Sequence, residues 1–203
     1  DLIPDGPYGQ TAAGTRVVER GGLARLATLI ANERLQNPRA VLMNIGDTYH
    51  GGVESLYTMG NAIVDPVDAL GIDVGVPGNW DFAYGPAVTR LRYTGENELP
   101  FPDPGMTILG PSFPNLAANV TYTLPRAQAG QTMLPPTLLK DVGGVRVGFV
   151  GITSDIVPMM YAPLAFGFDF LQGEGAYRDL IDQHAAALRH EGAEIVVVMS
   201  ELG

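Results

Sequence analysis

The chain has 203 residues, of which 46% are hydrophobic and none is cysteine, and its net charge is −10 from 12 basic and 22 acidic residues. That apolar content supports a filled core, and the absence of cysteine excludes disulfides, thiolate nucleophiles and cysteine–zinc sites. The acidic balance argues against nucleic acid polymers and anionic membranes, which need basic surface; it would repel an anionic substrate too, unless a cation or a local arginine reversed the field.

Residues 1–20 are polar and glycine-rich, without periodicity, and are expected as a loop. In "GGLARLATLIANERLQ", Leu23, Leu26, Ala27, Ile30 and Ala31 fall on one face at helical spacing, predicting a helix from Gly22 to Leu35 that Pro38 stops. "RAVLMNI" (39–45) and "IDVGVPG" (72–78) are short apolar runs of the kind found in strands buried on both faces. Between them "GNAIVDPVDALG" (60–71) predicts a second helix, and "YGPAVTRLRYTG" (84–95) a third. The proline-rich stretch 95–115 reads as a loop, and "NLAANVTY" (115–122) as a third strand. Two β-rich runs flank Val142-Gly143-Gly144 and predict a hairpin whose glycines supply positive φ. Residues 153–173 look irregular, "GAYRDLIDQHAAALRHEGA" (175–193) is an amphipathic helix, and "EIVVVMS" (194–200) is the last strand. Strands alternating with helices predict an α/β fold, with the hairpin making its sheet mixed. No run of about 18 apolar residues occurs, so no membrane-spanning helix is expected. No signal peptide is visible, although the chain opens on Asp1.

Three of these strands end on polar, turn-prone segments: "GDTYHGG", "PGNWDFAYG" and "MSELG". In open α/β sheets, ligands sit outside the carboxyl ends of the strands. Asp47, Asn79 and Glu201 therefore occupy comparable positions, each offering an oxygen suited to a hard cation. Each alone is more often a turn, a helix cap or a loop acid than a ligand. His50 is either a plain exposed loop residue or a group facing the same site. Trp80, Phe82 and Tyr84 suit core or rim positions; His184 and His190, on the predicted helix before the last strand, suit packing or surface. Asn119 heads an Asn-Val-Thr sequon, with packing on its strand as the other reading.

Taken in order, "GDTYHG", "GNWDFAYG", "LAANV", "GGVRVGFVGIT" and "IVVVMSELG" resemble the calcineurin-like metallophosphoesterase domain of the 5′-nucleotidase family, which also includes the bacterial thiosulfohydrolases. The resemblance runs from "GGLARLATLI" to the last residue. It implies a four-layer α/β/β/α sandwich holding two divalent metals. Asp47 would bridge the metals, Asn79 would bind one, and Glu201 stands where the family's "SHLG" places a histidine ligand. Oxygen ligands favour manganese, magnesium or calcium over zinc.

The departures are specific. Where the nucleotidases read "GNHE" or "GNHD", this chain has Trp80, and the acid that would orient that histidine falls on Ala83. An indole donates one hydrogen bond but carries neither charge nor transferable proton. The thiosulfohydrolases carry tryptophan here, in a segment similar to "WDFAYG", and a branch with "GNWDF" and "SELG" matches best. The family's Asp-x-His motif would fall just before Asp1, and a histidine pair beyond Gly203. The chain is thus expected to be one metallophosphoesterase domain, residues 1–203, lacking its first strand and its last ligand segment. By resemblance it is a metal-dependent hydrolase of phosphate monoesters, possibly nucleotides, with Trp80 and His50 on the substrate side. The alternatives are a thiosulfohydrolase-like enzyme and a non-catalytic domain that has lost the His–Asp dyad. The implied partners are a small anionic substrate and a C-terminal substrate-binding domain; the implied location is periplasmic or secreted.

Overall fold

The computed structural model describes residues 2–4, 17–19, 21–96 and 104–202. The chain divides into two compact units, Asp1–Ala40 and Val41–Gly203. In the first, β1 (Leu2–Pro4) and β2 (Val17–Glu19) pair antiparallel, with Leu2 opposite Glu19. This corrects the expectation of an unbroken loop over 1–20; strands of three residues are too short for a period of two to register. The other residues of that stretch lie outside the described ones. Helix α1 (Leu23–Gln36) keeps within a residue of its expected span. The Asn37 N–H closes it by donating to Glu33 O at 2.7 Å, and Pro38 follows with no N–H to continue. None of its side chains is buried.

The second unit begins with two parallel strands, β3 (Met43–Asn44) and β4 (Val74–Gly75). Bonds from Asp73 N–H to Leu42 O and from Val76 N–H to Asn44 O carry the pairing just beyond their ends. Between them lie α2 (Val53–Tyr57), unexpected from the sequence, and α3 (Asn61–Asp68), which contains Pro66. A 3-10 turn at Trp80–Phe82 leads to α4 (Pro86–Thr94). Its first position is proline, whose missing N–H costs nothing there, and Gly95 closes it with φ 74°. Of the proline-rich stretch, 97–103 lie outside the described residues, and 104–114 carry no helix or strand.

The expected third strand shortens to β5 (Val120–Tyr122), preceded by an isolated bridge between Gly75 and Asn115. Next come β6 (Thr137–Val142) and β7 (Val145–Ile152), joined by Gly143 and Gly144 at φ 61° and 92°. Two consecutive positive φ values make the turn whose twist matches the flanking strands, which is why both positions are glycine. The supposedly irregular stretch 153–173 holds α5 (Val157–Met160), a 3-10 turn (Ala162–Ala165) and β8 (Phe168–Phe170), which pairs antiparallel with β5. Helix α6 (Glu174–His190) then crosses over to β9 (Ile195–Ser200), parallel to β7 from Val147–Ile195 to Ile152–Ser200.

Burial explains the apolar runs. On β7, Val147 and Phe149 pack with Val74, Val76, Leu116 and Met199, while Val150 faces the opposite way, onto Ala118, Leu188 and Ala193. The strand is thus covered on both sides, as its near-continuous apolar sequence requires. A third cluster joins Phe82 to β5, β8 and Val157. The α/β expectation holds, with parallel pairing in β3–β4 and β7–β9 and antiparallel pairing in β6–β7 and β5–β8. Asn119 settles into the packing reading. It is 3% exposed, its Nδ2 donates to Thr153 O at 2.8 Å, and its Oδ1 accepts from Thr153 N–H at 2.9 Å.

Candidate metal centre

The ends of four strands converge in the second unit. Gly46-Asp47 follows β3, Gly78-Asn79 follows β4, Thr153-Ser154 follows β7 and Glu201 follows β9. The Thr153 hydroxyl donates to Pro77 O, tying the end of β7 to the end of β4, and the Glu201 N–H donates to Ile152 O at 3.1 Å. The two glycines are demanded by contact rather than by turn chemistry alone. A Cβ on Gly46 would overlap the backbone of Gly78, and one on Gly78 would overlap the Asp47 nitrogen and Oδ1. The Gly-Asp and Gly-Asn loops therefore touch backbone to backbone.

Asp47 has φ 54°, a left-handed conformation unusual for a residue with a side chain. Its Oδ1 accepts from the Trp80 N–H at 2.8 Å. Upstream, Asn44 Oδ1 takes the Gly46 N–H at 2.8 Å and the Thr48 hydroxyl at 3.0 Å. Behind the loop, Arg92 donates to Met59 O and, at 2.7 Å, to Leu109 O, with its guanidinium 4.8 Å from the centre of the Tyr49 ring.

The residue that organises these loops is Asp81, two positions before Ala83, where the resembled family places its acid. Its side chain is 2% exposed. Oδ1 accepts from Thr48 N–H and Tyr49 N–H, both at 3.0 Å, and Oδ2 from Gly78 N–H at 2.8 Å. One carboxylate thus holds both the Gly46-Asp47 and the Gly78-Asn79 loops. Burial raises its pKa, the three N–H donors work against that rise, and the nearby Asp47 charge adds to it. An acid embedded in the apolar context "VPGNWDFAYG" was the available signal.

Asn79 and Glu201 meet beside this clamp. Asn79 is 9% exposed and its Nδ2 donates to Met160 Sδ at 3.1 Å. The Glu201 carboxyl is raised above its ordinary pKa by burial; hydrogen bonds from Ser154 and the Asn79 backbone oppose the rise, and the charges of Asp47 and Asp81 reinforce it. Its Oε2 is buried with no hydrogen-bond partner. Asp47, Asn79 and Glu201 are therefore gathered in one neighbourhood. No group of three His, Cys, Asp or Glu side chains suited to a metal occurs among the described residues.

His50 lies over the Trp80 ring, centroids 4.9 Å apart and planes at 30°, and 5.1 Å from the Tyr84 ring. Tyr84 donates to Ser55 O at 2.9 Å, and Trp80 is 46% exposed. The three rings form an open rim. His184 and His190 sit on α6, and the chain passes from there into the opposite end of β9.

A buried carboxylate oxygen without a donor is costly unless a proton or a cation meets it. Two carboxylates and an amide oxygen, one of them so orphaned, suit a hard divalent cation. The metal-free state carries a testable sign. Both raised carboxyls keep protons in the folded chain that the unfolded chain releases, so their contribution is full below the ordinary values, 3.8 for Asp81 and 4.5 for Glu201. It is lost as pH rises through the higher folded values. In EDTA, Glu201→Gln is expected to gain stability relative to wild type as pH rises through that window, read from urea midpoints. A constant difference between the two proteins would contradict it.

No family model matches the chain. The trifunctional nucleotide phosphoesterase protein YfkN of Bacillus subtilis is 27% identical over 206 residues, covering 90% of this chain and 12% of its own length. The crystal structure of calcineurin-like phosphoesterase YfkN superposes with a TM-score of 0.66, at 21% identity over 98% of this chain and 58% of that one. The 5′-nucleotidase of Bos taurus is 32% identical over 143 residues, 70% of this chain and 22% of its own length. The 5′-nucleotidase precursor of Thermus thermophilus superposes with a TM-score of 0.71, at 22% identity over 100% of this chain and 34% of that one. The chain thus spans about a fifth or less of the length of these curated relatives.

Proposed function

The chain belongs to the calcineurin-like phosphoesterases, and from that premise we propose that it forms the core of a metal-dependent hydrolase of phosphate monoesters, with nucleotides as the favoured substrates. The observation carrying this reading is the buried, partnerless Glu201 Oε2 in the same neighbourhood as Asp47 and Asn79. Asp47 would bridge two divalent cations, with Asn79 and Glu201 holding one each. Manganese, magnesium or calcium suits an oxygen-rich set better than zinc. Two such ions supply positive charge to the substrate's oxygens and acidify a bound water.

The chain's own residues have distinct tasks. Asp47 and Glu201 bring the negative charge that retains cations, and Asp81 fixes the two loops. Trp80 cannot take the proton-transferring part that histidine plays in the resembled family. His50, stacked on Trp80 and tilted against Tyr84, is the rim group able to donate a hydrogen bond to a phosphate oxygen or a proton to the departing one. In the longer protein a C-terminal domain would complete substrate binding, as the greater length of the relatives allows. A periplasmic or secreted location accords with the precursor form of the Thermus relative. No helix of the described residues is long and apolar enough to cross a membrane.

The test is phosphate release from nucleoside 5′-monophosphates and p-nitrophenyl phosphate by the full-length protein loaded with Mn2+. Saturable, EDTA-sensitive release is expected. No release from either ester would overturn the reading. Trp80 favours one rival, a thiosulfohydrolase-like activity, and release of sulfate from a protein-bound thiosulfonate in the same preparation would establish it instead.

A further inference from the structure

The Asn79 amide can bind a cation only through its oxygen, so something must settle which end faces the site. We propose that Met160 does this: its thioether accepts the Asn79 Nδ2–H and leaves Oδ1 turned toward Asp47 and Glu201. The inference rests on the two-metal reading above and adds a positioning residue to it. The N···S distance is 3.1 Å. Sulfur offers only lone pairs, so turning the amide over would set its oxygen against them and lose the bond.

Met160 is well held for the task. It ends α5, a single turn in which the Met160 N–H donates to Ile156 O at 3.0 Å. That turn is pinned by Val157, 0% exposed in the cluster that includes Phe82 and Phe168. The neighbouring Met159 points outward, 73% exposed. On the other side, the Asn79 backbone N–H is engaged with Glu201. The backbone of Asn79 is thus fixed by one proposed ligand and its side chain by Met160. Groups that orient a metal ligand through its free donor typically change metal affinity about 10–100-fold when removed.

The experiment is Mn2+ titration of the full-length protein, followed by calorimetry and by the EPR signal of free Mn2+. Met160→Leu keeps the bulk and removes the acceptor; Met160→Gln restores an acceptor through Oε1; Met159→Leu is the control. The expected result is that Met160→Leu weakens one of two Mn2+ sites about tenfold, leaves the other within about twofold of wild type, and leaves the metal-free melting temperature unchanged. Met160→Gln should recover most of the loss, and Met159→Leu should behave as wild type. Wild-type affinities at both sites in Met160→Leu would overturn the inference and leave the two-metal reading standing. Loss at both sites together with a lowered metal-free melting temperature would also overturn it, by showing a structural role alone. A wild-type protein that takes up no Mn2+ would overturn the two-metal reading, and this inference with it.

Discussion

Replacing Asp81 with alanine is expected to cost about 3–5 kcal/mol of folding stability, from two buried and one part-buried N–H group losing their acceptor at about 1–3 kcal/mol each, with partial relief from entering water. Those donors belong to Thr48, Tyr49 and Gly78, so the loss falls on the contact between the Gly46-Asp47 and Gly78-Asn79 loops. Domains of this size are stable by about 5–15 kcal/mol, so the variant should remain folded but unfold at clearly lower urea. Asp81→Asn should fall between. Its oxygen can still serve Thr48 and Tyr49, while its NH2 meets the Gly78 N–H donor to donor. The measurement is the urea midpoint with the slope checked for constancy. A loss below about 1 kcal/mol for Asp81→Ala would mean that the loops do not depend on this carboxylate.

The prominence of Asp81 shows where reading the sequence stops. The shared neighbourhood of Asp47, Asn79 and Glu201 was legible because each follows an apolar run read as a buried strand, and the ends of such strands lie together. Their glycine neighbours were legible as turn residues, although their deeper reason, the touching of Gly46 and Gly78, needs both loops in space. Asp81 drew no role from its sequence context, since nothing in a string of letters records that three N–H groups point at it. Met160 lies 81 residues from Asn79, and its thioether acquires meaning only through that contact. The elements missed have a common cause. The strands β1, β2 and β8 and the helices α2 and α5 have three to five residues each, less than the window over which periodicity can be read. The long elements were found because their signals span more residues: helical spacing in α6, near-continuous apolar runs in β7 and β9, and the two-glycine turn that joins β6 to β7.

The site also explains how so acidic a chain could take an anionic substrate. Asp47, Asp81 and Glu201 lie close enough for their charges to act on one another, and burial penalises Glu201 and Asp81 further. A protein gains nothing from this crowding in the metal-free state. Divalent cations held by Asp47, Asn79 and Glu201, as proposed, would reverse its sign by relieving the carboxylates and supplying positive charge to an anionic substrate. Metal uptake should therefore stabilise the fold directly, by about 2.7 kcal/mol at a free metal concentration 100 times Kd.

Asp47→Ala is expected to abolish that stabilisation: Mn2+ should no longer raise the urea midpoint, the affinity of at least one site should fall more than about 100-fold, and ester hydrolysis should drop to background. Alanine removes two things at once, the charge and the acceptor for the Trp80 N–H, and it must also adopt φ 54° without a local polar partner. Asp47→Asn separates them. It can keep an oxygen on the Trp80 N–H and tolerates left-handed backbone, so its metal-free midpoint should stay near that of wild type while metal affinity falls as in the alanine variant. That pairing would assign Asp47 to the cations. Full metal binding by Asp47→Asn would instead leave the bond to Trp80 as its contribution, and would shift the bridging role to a residue outside Gly46–Gly52. A low metal-free midpoint in both variants would mean that the left-handed turn at 47 depends on the carboxylate for folding, so that loss of metal would follow from loss of the loop.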